Sequence, residues 1–196
     1  MQKSTVKITL VAFSIIEDML TVYMHHNVLP TEIISDKATL EEQVEEIFHK
    51  NLGFALGNNY VEQLYTISPN KNEIAIVYYV LVSDGAHQEK EQQNWLPVLQ
   101  KTKQDKEIIS YALQRLRWKI EYTNVVYSLL PKTFTLSDLQ KAYEIILGKK
   151  LDKRNFRKKI LSLHFLKATR KKRIDNARPA QMYTFTKRTP QIVKVF

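Results

Sequence analysis

Residues 134–163, FTLSDLQKAYEIILGKKLDKRNFRKKILSL, can fold in very few ways. Leu136, Leu139, Tyr143, Ile146 and Leu147 follow the i, i+3, i+4, i+7 spacing that lays one apolar stripe along a helix packed on a core. Thr135 is placed to cap that helix, and Asp138 favours the same N-terminus. Gly148 can take positive φ and end it, after which Asp152 offers a second N-cap. On the helix that follows, Phe156, Ile160 and Leu163 share one face. Arg154, Arg157 and Lys158 lie largely away from that face, and Asn155 sits near the N-terminus. Two helices joined by a Gly-containing turn, the second basic and carrying an Asn, read as a helix-turn-helix with its recognition helix. Beyond it, FLKAT and AQMYTFT flank RKKRIDNARP, a Gly-free stretch with five cations that predicts the tip of a β-hairpin, a wing. The competing reading is a small α+β domain with a solvated basic face. Base-reading residue types and a hairpin in the right order favour a nucleic-acid partner.

Charge patterning locates that partner's contact. Residues 149–196 hold 16 Lys+Arg against 2 acids, a balance of +14, whereas residues 1–148 hold 14 against 18, or −4, within a chain of net charge +10. The polycation is therefore one region, which would gather phosphates at long range and bind with steep salt dependence. The 196 residues suffice for one large domain or two small ones. With no Cys there is no disulfide and no Cys-ligated zinc, in keeping with a reducing compartment. The first residues do not read as a signal peptide, and no apolar run is of membrane-spanning length. A cytoplasmic protein is expected.

Upstream, KSTVKITLVAFSII (3–16) and LTVYMH (20–25) are β-rich runs separated by Glu17 and Asp18, which suits a hairpin, and Val28-Leu29-Pro30 breaks the pattern. Residues 38–52 predict a helix with Leu40, Val44, Ile47 and Phe48 on one side and Glu41, Glu42, Glu45, Glu46 and His49 on the other, closed by Gly53. Strands are expected over 60–67 and 73–82, a surface loop over 83–94, and a short edge segment at Trp95-Leu96-Pro97-Val98. A long helix over 104–120 should turn Ile108, Ile109, Ala112, Leu116 and Ile120 inward. The change in charge and the start of another helix at TNVVYSLL place a domain boundary near Tyr122–Thr123. The class is α+β: a mixed sheet between helices, then a winged helix-turn-helix.

That order resembles the Nudix fold, with the helix ending at Leu52-Gly53-Phe54 where the Nudix box would sit. Anchored on Gly53, the box's first Gly becomes Glu32 and its next Glu becomes Ala38. Its Arg-Glu pair becomes Glu46-Ile47 and its metal-binding Glu-Glu pair becomes Lys50-Asn51. Phe48, Gly53 and Phe54 survive, the fold-bearing positions. Hydrolysis needs several carboxylates around a divalent cation, so no catalytic residue, metal or cofactor is expected. The C-terminal part resembles the winged helix of the Nudix-related transcriptional regulators more specifically, through Leu130-Pro131, Phe134-Thr135-Leu136, Leu139-Gln140, Tyr143-Glu144, Ile146-Leu147-Gly148 and the run 151–159, with Arg178-Pro179-Ala180 and Tyr183-Thr184-Phe185 as the wing strand. The resemblance implies a silent Nudix-like effector-binding and dimerisation domain over 1–122 and a DNA-binding winged helix over 123–196. It also implies a homodimer on a palindromic operator, often upstream of NAD-synthesis genes or, in some branches, sugar-utilisation genes. The effector would be ADP-ribose or a phosphorylated sugar metabolite.

On this reading the DNA contacts fall to Thr135, Lys153, Arg154, Asn155, Arg157, Lys158, Arg170, Lys171, Lys172, Arg173 and Arg178. Arg takes guanine and Asn takes adenine bidentately, and the wing cations hold phosphates. Effector contact is assigned to His25, His26 and Glu32. The family's phosphate-side Arg and Gly-Gly loop are replaced here by His25-His26-Asn27 and Pro30-Thr31-Glu32. On a strand, His25 and His26 would face opposite ways and could not share a metal. Glu46-x-x-His49 has half the spacing of a di-iron site without its second half, and no nucleophile elbow is present. Tyr111, Trp118 and Tyr122 are expected to pack at the junction. The alternatives are a divergent Nudix nucleoside-diphosphate hydrolase and a non-specific RNA-associated basic protein.

Overall fold

A computed structural model describes residues 4–83, 93–98, 105–174 and 179–195. Most of the expected 83–94 loop, and Arg178, lie outside the described residues. The first sheet has the order β4-β5-β1-β2-β6, built from β1 (Thr5–Ile16), β2 (Met19–Tyr23), β4 (Tyr60–Asn70), β5 (Glu73–Leu81) and β6 (Trp95–Pro97). A short β3 (Thr31–Ile33) also pairs with β1. Only the β1–β5 pairing is parallel. Along one edge, β1 pairs with β3 through Lys7–Thr9 and with β2 through Phe13–Ile16. The sequence pattern missed β3, because three residues are too few to show alternation.

Alternation along β1 sorts its side chains onto two cores. Val11 and Phe13 face one, with Val77, Tyr79 and Leu81 of β5. Ile8, Leu10, Ala12 and Ile16 face the other, with Tyr78, Val80 and Val82. Helix α1 (Leu40–Leu52) covers the second core with Val44, Ile47, Phe48 and Leu52. It opens on a Thr39–Glu42 capping box and closes on Gly53 at φ 77°. Helix α2 (Lys106–Tyr122) covers the first core with Ile109, Ala112, Leu113, Leu116 and Ile120. The mixed sheet thus lies between two helices, and each fully buried Leu, Ile or Phe contributes about 1.5–3 kcal/mol.

The chain leaves α2 through a 3-10 turn over Val125–Leu129, where the sequence suggested a longer helix. The strand β7 (Phe134–Thr135), α3 (Leu136–Leu147), α4 (Lys153–Ser162), β8 (Leu166–Arg173) and β9 (Ala180–Phe185) follow, with the sheet order β7-β9-β8. This is a winged helix-turn-helix. Its apolar face continues the α2-side core: Leu139, Tyr143, Ile146, Phe156, Ile160 and Phe185 belong to the same cluster as Phe13. After β9 the chain returns to α2. Val193 N–H donates to Tyr122 O at 2.8 Å, Val195 N–H to Glu121 O at 2.9 Å, and Val195 is buried. The Arg188 guanidinium donates to the carbonyls of Tyr127, Leu130 and Pro131 beside the 3-10 turn.

Several expectations change. His25–Val28 is a tight turn with His26 and Asn27 at φ 49° and 64°, not strand, and the two imidazoles meet edge-on at 4.3 Å. Arg170–Arg173 lie on β8, not at a hairpin tip, because the β8–β9 ladder runs out to Arg173↔Ala180 past a register shift. Tyr111, Trp118 and Tyr122, expected to pack as core or interface, are not core: they stand exposed on one face of α2, with Tyr111 edge-on to Tyr65 at 5.1 Å.

A carboxylate ties α2 to the sheet edge. Glu62 of β4 accepts from Tyr60 Oη at 2.6 Å, Tyr79 Oη at 2.7 Å, Arg115 at 2.7 Å and Lys119 Nζ at 3.0 Å. Burial alone would raise its pKa, but the four donors outweigh burial and hold it at about 2. A folded-state pKa below the ordinary value of 4.5 gives stability that is complete above about pH 4.5 and is lost as pH falls toward 2. Glu62→Gln is expected to cost about 1.5–3 kcal/mol at pH 7 by urea denaturation, the range for hydrogen bonds to a charged group. The gap from wild type should close below pH 4.5.

Candidate nucleic-acid interface

Helix α4 is set by its first turn and its buried face. Asp152 sits in extended backbone and its Oδ1 accepts the Asn155 amide at 2.7 Å, an N-cap. Phe156 and Ile160 are buried, Phe156 edge-on to Tyr143 at 5.4 Å. That packing leaves Lys153, Arg154, Asn155 and Lys158 exposed. Among the described residues, none of their side chains makes a hydrogen bond or ion pair. Donors of that kind, lifted off the core at a helix N-terminus, are free to meet base edges or phosphates.

Helix α3 begins beside them. Thr135 Oγ1 accepts the Asp138 amide at 3.2 Å and the Asp138 carboxylate accepts the Thr135 amide at 2.8 Å, a complete capping box. Gly148 closes the helix at φ 68°. Thr135 is only 2% exposed and its hydroxyl accepts the Asp138 amide as the sequence predicts, so the DNA contact also assigned to Thr135 falls on a buried cap. Arg173 differs from its neighbours as well. Its guanidinium grips both Asp138 carboxylate oxygens at 3.0 Å, whereas Arg170, Lys171 and Lys172 stand exposed along β8. Burial would raise the Asp138 pKa, but the Thr135 amide and Arg173 outweigh it and lower it.

Arg157, which the helical pattern turned outward, is half-buried. It donates to Ser137 Oγ at 3.0 Å, and its Nε is buried without a partner. A groove of about 570 Å³ runs past it, lined by Thr135–Ser137, Lys153, Pro179, Ala180, Gln181 and Tyr183. Sequence reasoning missed Ser137, Gln181 and Tyr183. Ser137 could have been found as the second residue of a capped helix; the other two could not, because the pairing of β9 with β7 brings them there.

The effector residues are less concentrated. Glu32 receives Lys50 Nζ at 2.6 Å and lines a small groove with Ile33, Ser35, Gln43, Glu46, Ile47 and Lys50. Neither His25 nor His26 lines that groove. Lys50, standing where the box has a carboxylate, is held above its usual pKa by its hydrogen bond with Glu32. Asn51 bonds back to Ile47 O at 2.8 Å. Among the described residues, no three His, Asp or Glu side chains gather as a metal site, and no helix is long and apolar enough to cross a membrane.

Comparison with known proteins extends this geometry. Residues 126–185 match the NrtR DNA-binding winged helix domain. The ADPR-responsive transcriptional repressor NtrR of Acinetobacter baylyi is 33% identical over 140 residues, covering 64% of this chain and 56% of that protein. The chain thus matches little more than half the length of its curated relative. The crystal structure of Shewanella oneidensis NrtR complexed with a 27mer DNA superposes with a TM-score of 0.80 at 27% identity, over 92% of this chain and 93% of that one. A MutT/nudix family protein from Enterococcus faecalis, at 17% identity and a TM-score of 0.69 over 94% and 89%, shares the fold. In its winged-helix match, its curated relative and the architecture of its full length, the chain is similar to the Nudix-related regulators of the NrtR kind.

Proposed function

We propose that this chain is a ligand-responsive transcriptional repressor, with residues 123–196 binding operator DNA and residues 1–122 sensing an effector. The observation that carries this reading is the unpartnered set Lys153, Arg154 and Asn155 at the capped start of α4. Arg154 and Asn155 read bases from the major groove, Lys153 and Lys158 support them, and Arg170, Lys171 and Lys172 hold the wing to the backbone. Arg178, outside the described residues, belongs to the same wing by sequence. Arg173 acts differently: through Asp138 it braces the wing against the start of α3.

The relative's name supplies the effector class, ADP-ribose. Lys50 and Asn51, in place of the paired carboxylates and with Lys50 already paired to Glu32, support a domain that binds and does not hydrolyse. The protein acts in the cytoplasm as a homodimer, so that two winged helices span half-sites about 34 Å apart. The exposed aromatic face of α2 (Tyr111, Trp118, Tyr122), beside the edge strand β4 with exposed Val61 and Ile67, suits a second copy. Effector binding then biases the relative placement of the two winged helices.

Three outcomes are expected. In gel-shift competition against random duplex, Arg154→Ala and Asn155→Ala should each lose about 1–3 kcal/mol of base discrimination; unchanged affinity and preference in both would refute the recognition-helix assignment. ADP-ribose at 100 times its dissociation constant should stabilise the protein by about 2.7 kcal/mol, read as a raised melting temperature with no turnover. Asp138→Ala removes both the cap partner and the Arg173 anchor, and should cost about 1–2 kcal/mol by urea denaturation.

A further inference from the structure

Most of the half-buried cations in this molecule have an internal answer. Arg115 and Lys119 have Glu62, Arg188 has three carbonyls, and Arg117 has Ile146 O at 2.8 Å. Among the described residues, Arg157 has one neutral hydroxyl, from Ser137, and a buried Nε with no acceptor. A guanidinium withdrawn from water without a carboxylate is costly, and the cost is relieved when an anion arrives from outside.

The surroundings of Arg157 suit such an anion. Ser137 Oγ accepts from Arg157, which leaves its own hydroxyl proton available to donate. Thr135 Oγ1 caps only the Asp138 amide, so the amides of Leu136 and Ser137 in the first turn of α3 have no acceptor within their helix. Lys153 and Tyr183 line the same groove, and Asp138, the nearest acid of the first turn, is occupied by Arg173.

We propose that this groove is a phosphodiester clamp: one DNA backbone phosphate is received by Arg157, the Ser137 hydroxyl and the first-turn amides of α3. Arg157 is therefore a positioning residue that sets the register of α4 in the major groove and carries no sequence information. Arg154 and Asn155 remain the base readers. This rests on the DNA-binding reading above, and its test is chosen to fail separately.

The test measures binding of the full chain to two duplexes of equal length, a promoter fragment selected by the wild-type protein and a random sequence, across a salt series. Arg157→Ala should weaken both by about tenfold, leave their ratio unchanged and lower the slope of log K against log[salt] by about 0.9. Ser137→Ala should weaken both duplexes in the same direction at an unchanged ratio. Arg157→Lys, which keeps the charge, should restore most of the slope and guards against misfolding, as does an unchanged melting temperature in each variant. Inorganic phosphate at millimolar concentration should not displace DNA; displacement would mean a free-phosphate site. A collapse of the selected-to-random ratio in Arg157→Ala would make Arg157 a base reader, and an unchanged slope would make it a structural residue. Either overturns the clamp while DNA binding stands, whereas a wild-type protein that binds neither duplex overturns both.

Discussion

Strand β1 has almost no solvated face from Ile8 onward. Its odd and even side chains enter separate cores, its edges pair with β5, β2 and β3, and a helix must lie on each side of the sheet to keep those side chains from water. Helix α2 is one of those two covers, and its C-terminus is where the winged helix begins. Backbone bonds from Val193 and Val195 return to that end, and Arg188 satisfies three carbonyls of the turn that follows. Lys141 pairs with Asp18, and Arg117 reaches Ile146 O, so α3 is also held to the first sheet's side. The helices α3 and α4 are thus carried on a buried core and not on a free linker.

Electrostatics then divides the molecule. Among the described residues beyond Gly148, the one acid is Asp152, and it is occupied in capping α4. Lys150 and Arg173 find Glu144 and Asp138, both on α3. Among the described residues, the other cations of α4 and β8 have no carboxylate to answer them, and a surface of that kind attracts polyanions. The basic region is thus set apart from the remainder of the chain, which carries a slight negative balance.

Helix α1 keeps packing residues of the Nudix box without its paired carboxylates. Phe48 and Gly53, two residues that match the Nudix box, are those that pack and terminate the helix, and Phe54, the third, meets Phe48 edge-on at 5.1 Å. The positions that would bind a divalent cation now hold Lys50 and Asn51, tied to Glu32 and to the helix's own Ile47 carbonyl. Packing constrains the first group whatever the domain binds, while nothing in the core depends on the second.

The sequence alone determined the helices, their caps at Thr135, Asp152, Gly53 and Gly148, the buried stripe of α3 and the basic character of everything after it. Periodicity and capping are local, and a helix or strand must satisfy them within its own few residues. It could not say that Arg173 would spend its charge on Asp138, that Arg157 would fold onto Ser137, or that Tyr111 and Trp118 would stay exposed. Nor could it foresee that His25 and His26 would form a turn. Only the tertiary structure decided these, because they depend on which side chains meet across 35 residues of chain in one case and 20 in another, and a charge run carries no record of which of its members will find an acid.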